Sequence, residues 1–222
     1  MNRSREINSV IFDMDGVITQ TMPLHCRVWK KIFSEEGIHL TNYQIYEREG
    51  QKGLESVREI FALHNIPFDL SRAGKMLERK ETLFKSLRQQ TRFIPNARTF
   101  IRMLRKKGLH LALVSGTSRH EINHLLSADF LKNFRVIVSG SDVSNGKPHP
   151  EPYLKALAAL RLKNSQAIVI ENAPYGIASA KAAGLTCFAV QTSLPASYLS
   201  QADFTFRDIK SIAGFLQEKR WL

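Results

Sequence analysis

The sequence predicts an α/β fold: a parallel sheet flanked by helices, with an all-helical segment inserted after the first strand. Three observations lead there. Short apolar runs suited to buried strands alternate with amphipathic helical stretches, regularly so from Arg92 onward. Residues 19 to 91 interrupt that alternation and carry helical periodicity alone. The first apolar run ends directly in two carboxylates, Asp13 and Asp15, and in open parallel sheets ligands bind beyond such strand ends.

The first strand is read at Val10 to Phe12 of VIFDMDGVI. Alternation in extended chain sends Asp13 and Asp15 to one side and Phe12 and Met14 to the other, while Gly16 lets the chain turn away. Two carboxylates this close repel, and burying either is costly without a partner. A divalent cation is the simplest compensation, and Mg²⁺ suits hard oxygen ligands while leaving sites for water and phosphate. Taken alone, D-x-D also fits a strand-end turn with solvated acids.

In the inserted segment Leu24, Val28, Ile32 and Phe33, then Val57, Ile60 and Phe61, keep helical spacing. Gly37, Gly50, Gly53 and Pro67 divide it into four helices. Further strands follow at Leu109 to Val114, Val136 to Val138, Ala167 to Ile170 and Cys187 to Val190. Strand, helix and strand in succession imply right-handed crossovers.

With 222 residues, 43% of them hydrophobic, the chain can build one sizeable core, or a core with a smaller attached domain. The opening MNRSREINS lacks the apolar segment of a signal peptide, and no uncharged run is long enough to span a bilayer. Cys26 and Cys187 lie far apart and suggest no disulfide framework, so a reducing cytoplasm is expected. The net charge of +12 favours anionic partners. Its densest basic stretch, residues 92 to 107, places Arg98, Arg102 and Arg105 on one helix face and Ala97, Phe100, Ile101 and Leu104 on the other. A nucleic-acid footprint would need interleaved aromatics or a recognition motif, so a solvated face is the reading taken.

HEINH at residues 120–124 matches the zinc-protease pattern H-E-x-x-H. Ile122, Leu125 and Leu126 mark the buried side of its helix, which turns His120 and His124 toward solvent and away from the shelter a catalytic zinc requires.

VIFDMDG at residues 10–16, LALVSGT at 111–117, GKPHPEPY at 146–153 and IVIENAPYGI at 168–177 stand in one order, most of them at strand ends. Together they resemble the four motifs of the haloacid-dehalogenase-like superfamily of phosphotransferases, over nearly the whole chain. TMPLHCRVW, from Thr21 to Trp29, resembles the entry helix of the β-phosphoglucomutase-like branch. The resemblance implies a Rossmann-like catalytic core of residues 1–18 and 92–222 and a helical cap domain of residues 19–91.

It also implies roles. Asp13 is the nucleophile that forms an aspartyl phosphate, and Asp15 the general acid and base. A dehalogenase proper lacks this second aspartate, so Asp15 argues for phosphoryl transfer. Ser115, Gly116 and Thr117 hold the phosphoryl oxygens with amides at the start of the next helix. Lys147 neutralises the charge shared by Asp13 and the phosphoryl group. Asp13, the carbonyl of Asp15, Glu171 and Asn172 form the Mg²⁺ site. Asn172 departs from the second acid of many relatives, and Asp142 is a candidate to replace the missing charge. Thr21, His25, Gly50 and Lys52 are the expected cap contacts. His25 reads either as a packing histidine or as a partner of Asp15.

A mutase of this branch places a lysine and then an arginine in the cap loop REGQKGLE, residues 48–55. Alignment on Gly50 puts Glu49 and Gly53 there, and alignment on Gly53 recovers Lys52 but puts Ser56 at the arginine position. The expectation is therefore an Mg²⁺-dependent phosphatase of a small phosphorylated metabolite, a sugar phosphate by preference, acting as a monomer or weak homodimer. The alternatives are a phosphosugar mutase and, below it, a non-catalytic protein that binds phosphorylated ligands or nucleic acid.

Overall fold

The structure, a computed structural model, describes residues 7–87, 91–219 and 221. The first six residues of the opening stretch read for a signal lie outside these, as do residues 88–90, 220 and 222, which fall within the expected domain ranges.

The elements run β1 (Ser9–Phe12), α1 (Met22–Ser34), α2 (Asn42–Tyr46), α3 (Gly53–Leu63), α4 (Leu70–Leu87), α5 (Ala97–Lys106), β2 (His110–Val114), α6 (Arg119–Leu125), α7 (Ala128–Leu131), β3 (Val136–Val138), α8 (Glu151–Leu160), β4 (Ala167–Glu171), α9 (Pro174–Ala182), β5 (Thr186–Val190), β6 (Phe204–Phe206) and α10 (Ile209–Glu218). The six strands form one parallel sheet in the order β3-β2-β1-β4-β5-β6. From β1 the chain winds outward on one side through β2 and β3, then returns to start β4 on the other. The crevice beyond β1 and β4 is thus the switch point at which such sheets bind ligands.

Period-two alternation divides the core. Val10, Phe12, Leu111, Leu113, Ile168 and Ile170 join Phe100, Ile101 and Ile212 on one face. Ile11, Ala112, Val114 and Val169 join Tyr153, Ala156 and Ile177 on the other. Helices cover both faces, which is why the central strands read as continuous apolar runs. Phe12 and Met14 enter the first of these clusters, as the alternation expected.

The sixth strand was not expected. Phe-Thr-Phe spans only three residues at the sheet edge with Thr205 exposed, so no apolar run announces it. Tertiary contacts make it, with Phe204 and Phe206 packing on Phe188 and Phe215.

Residues 22–87 form α1 to α4 around a cluster of their own, including Leu24, Val28, Ile32, Phe33, Val57, Ile60, Phe61 and Met76. The segment leaves and rejoins the sheet at one point, where Gln20 N donates to Arg92 O at 2.7 Å and Ile94 N to Ile18 O at 2.9 Å. On α5 the expected amphipathic split holds, with Ala97, Phe100, Ile101 and Leu104 buried and Arg98, Arg102 and Arg105 exposed. Among the described residues no helix is long and apolar enough to cross a membrane, and both cysteines are buried and free.

Candidate active site

β1 delivers Asp13 to the switch point, and its N–H continues the ladder to Ile170 O at 3.0 Å. The chain then turns at Gly16, with φ +88°, a conformation open to glycine at little cost. Space forbids a side chain there as well, since a Cβ would stand 2.1 Å from Asn172 Nδ2. This turn buries Asp13 and Asp15 side by side.

Lys147 comes from the loop before α8 and is itself 1% exposed. Its Nζ donates to Asp13 Oδ1 and Glu171 Oε1, both at 2.6 Å. Burial works against the ammonium, but the two carboxylates outweigh it and hold Lys147 above the usual lysine range. Tyr153, six residues on and fully buried, donates to the same Glu171 oxygen at 2.6 Å. Burial and the adjacent Glu171 and Asp13 keep its hydroxyl protonated. Tyr153 belongs to the site although it was not expected there; its only signal was the tyrosine that ends GKPHPEPY.

Asp15 is held by hydroxyls. Thr21 Oγ1 donates to Oδ1, while Thr117 Oγ1 at 3.1 Å and Ser115 Oγ at 3.3 Å donate to Oδ2. His25 Nε2 lies 3.5 Å from Oδ1 without forming a hydrogen bond, and its ring stacks on Phe84 at 4.4 Å. Burial pushes Asp15 up, yet His25 and the threonine hydroxyls more than offset it and hold the carboxyl below its ordinary value. Burial lowers the proton affinity of His25, against the opposing pull of Asp15.

Asp13 goes the other way, raised well above the carboxylate range by burial, Glu171 and Asp15 against the lowering effect of Lys147. Three buried acids against one ammonium leave the cluster short of positive charge. Two buried oxygens, Asp13 Oδ2 and Asn172 Oδ1, also have no hydrogen-bond partner. Such orphaned acceptors beside surplus negative charge fit a hard divalent cation. Asn172 Nδ2 donates to Ser193 Oγ at 2.9 Å. Asp142 is not part of this group, because its carboxylate accepts from Ser139 and from Arg119 at 2.8 Å. Among the described residues no three His, Cys, Asp or Glu side chains converge as a metal cluster, HEINH included, and His120 and His124 are exposed.

The helical insertion closes the other side. Gly50, with φ +78°, packs so tightly on Lys147 that a Cβ would lie 2.3 Å from Cδ, and its carbonyl accepts from Lys147 N at 3.3 Å. Gly116 approaches the same carbonyl, where a Cβ would come within 2.6 Å. The helix after it begins only at Arg119, with Ser118 as its cap, so Ser115 to Thr117 form a loop short of the helix start that was expected there. Lys52 Nζ donates across to Val143 O at 2.6 Å, and Tyr175 Oη to Glu59 at 2.8 Å. Between insertion and sheet lies a cavity of about 750 Å³, lined by His25, Trp29, Glu49, Lys80, Phe84 and Thr117 among others. Glu49 and Lys80 were not read as site residues: one sits in a polar loop and the other on a helix with a charged surface, and neither carries a motif.

The family model described as haloacid dehalogenase-like hydrolase matches residues 10–190. A phosphorylated carbohydrates phosphatase of Thermotoga maritima is 32% identical over 187 residues, covering 81% of this chain and 82% of the relative. β-Phosphoglucomutase of Bacillus subtilis is 26% identical over 220 residues, 97% of this chain and 96% of that one. The crystal structure of β-phosphoglucomutase from Clostridium difficile superposes with a TM-score of 0.82 at 25% identity, covering 96% of each chain. The chain belongs to the haloacid dehalogenase-like hydrolases, among the relatives of β-phosphoglucomutase, and is an enzyme of that family.

Proposed function

We propose that this enzyme is an Mg²⁺-dependent phosphatase of small phosphorylated metabolites, sugar phosphates by preference, working through an aspartyl phosphate on Asp13. One observation carries the reading. Asp13 has one oxygen on Lys147 and the other unpartnered, and Asp15 stands two residues away in a cradle of hydroxyls. A nucleophile and a proton carrier side by side are what displacement at phosphorus requires.

Asp13 attacks phosphorus while Lys147 neutralises the gathering negative charge. Ser115, Gly116 and Thr117 turn their donors to the phosphoryl oxygens. The incoming phosphoryl charge raises the proton affinity of Asp15, which is low in the free enzyme. Asp15 then protonates the leaving oxygen and afterwards takes a proton from the water that hydrolyses the aspartyl phosphate. Thr21 orients it, and His25 packs beside it. Asp13, the Asp15 carbonyl, Glu171 and Asn172 would hold Mg²⁺, which when bound would supply positive charge to the transferring group.

Residues 19–91 act as a cap domain on a core of residues 1–18 and 92–222, excluding water and supplying the specificity contacts. Thr21, His25, Gly50 and Lys52 belong to that cap. The phosphatase of Thermotoga maritima supports carbohydrate monoesters as substrates. The near full-length match to β-phosphoglucomutase favours a mutase as the second reading. Against it, the cap loop offers Glu49 where a second phosphate needs a cation, and Lys52 donates to the Val143 carbonyl.

The test is phosphate release from a panel of sugar phosphates with Mg²⁺, comparing wild type with Asp13→Asn. Release that falls at least about 10³-fold in the variant supports the hydrolase. Glucose 6-phosphate formed from β-glucose 1-phosphate without phosphate release would establish the mutase instead.

A further inference from the structure

The cavity under the cap holds two charged groups that phosphoryl transfer leaves unused. Glu49, in the loop between α2 and α3, lines it beside Gly50, and its carboxylate has no hydrogen-bond or ion-pair partner among the described residues. Lys80, on α4, lines the same cavity and has no carboxylate within ion-pair distance among those residues. Its Nζ instead stands 5.4 Å from the ring centre of Trp29 and 5.3 Å from that of Phe84.

Recessed charges without partners are costly to maintain. Burial and the charges of Asp15 and Asp13 raise the proton affinity of Glu49 well above normal, while burial lowers that of Lys80. Glu49 is therefore unsatisfied until something enters the cavity, and Lys80 rests on aromatic faces alone. An acceptor, a donor and an aromatic side chain together match a ligand with many hydroxyls and an apolar C–H face. Hydroxyls donate to Glu49 and accept from Lys80, and the ring or chain lies against Trp29, while Phe84 carries His25 and Lys80. A second phosphate does not fit this set, because the loop offers its dianion the carboxyl of Glu49 rather than a cation, where Asp13 and Asp15 already crowd the field with negative charge. Lys80 offsets only part of that repulsion.

We propose that Glu49 and Lys80 form the leaving-group subsite for the hydroxyls of a sugar or polyol bearing one phosphate, and that Glu49 rejects substrates bearing two. The inference rests on the phosphatase reading for its chemistry and narrows its substrate class to monophosphates.

The experiment is calorimetric titration of Asp13→Asn protein, alone and with Glu49→Gln added. The ligands are glucose 6-phosphate and glucose 1,6-bisphosphate, then fructose 6-phosphate and fructose 1,6-bisphosphate. The parent should bind a monophosphate at least about tenfold tighter than its bisphosphate, and Glu49→Gln should shift that ratio toward the bisphosphate by at least about tenfold. Glu49→Asp, which keeps the carboxyl, should preserve the discrimination, and Lys80→Met should weaken the monophosphate. No binding of either monophosphate, a parent indifferent to the second phosphate, or a ratio that Glu49→Gln leaves unchanged would overturn the subsite. Phosphate release by wild type is scored in parallel. A shifted ratio without any release would sink the hydrolase and leave the subsite standing, whereas release with an unshifted ratio would sink the subsite alone.

Discussion

Gly50→Ala reports on the contact between cap loop and Lys147, and Gly37→Ala is its natural control. The two glycines have almost the same backbone, φ +78° and +77°. Alanine in that region costs about 1–2 kcal/mol at either position. They differ in their surroundings. A Cβ at Gly37 meets nothing within 4 Å, while one at Gly50 would stand 2.3 Å from Lys147 Cδ and 3.1 Å from Nζ. A flexible lysine tip could ordinarily move aside, but this one is buried and tied at 2.6 Å to both Asp13 and Glu171. Making room therefore loosens the ion pairs, and fully unpairing such a buried charge costs about 3–5 kcal/mol. Urea melts should place Gly37→Ala about 1–2 kcal/mol below wild type with phosphate release intact. Gly50→Ala should lose more stability, and its kcat/KM should fall about 10²–10³-fold, the usual cost of removing one preorganised donor to a developing anion. Equal activity in the two variants would refute the argument that Gly50 fixes Lys147.

Two further outcomes test individual residues. Asp15→Asn should slow hydrolysis of alkyl phosphates by about 10²–10⁴-fold but that of p-nitrophenyl phosphate far less, since a good leaving group needs little protonation; equal losses on both would remove Asp15 as the acid. Asn172→Asp should lower the Mg²⁺ concentration that gives half-maximal rate, because it adds a charge at a buried oxygen that now has no partner; an unchanged or raised requirement would remove Asn172 as a ligand.

What the sequence determined by itself is whatever depends on local pattern. Alternation along VIFDMDG put Phe12 and Met14 in the core and the two aspartates on the other side, and the structure keeps that division. Continuous apolar runs marked the strands buried on both faces, and 3.6-residue spacing marked the inserted helices, because each pattern is a direct image of which side chains leave water. Motif order brought Asp13, Asp15, Ser115, Lys147 and Glu171 into one group, and they do meet at the switch point. The tertiary structure decided what has no local image. β6 exists because Phe204 and Phe206 find Phe188 and Phe215, not because three residues favour a strand. Asp142 went to Arg119 and Ser139 rather than to the carboxylate cluster, since a loop acid answers to whichever donor the fold puts nearest. Tyr153, Glu49 and Lys80 reach the site from a helix, a loop and another helix, separated by up to 104 residues of chain from Glu49 to Tyr153. Convergence across such distances is set by how the helical segment packs over the sheet, and no residue spacing records it.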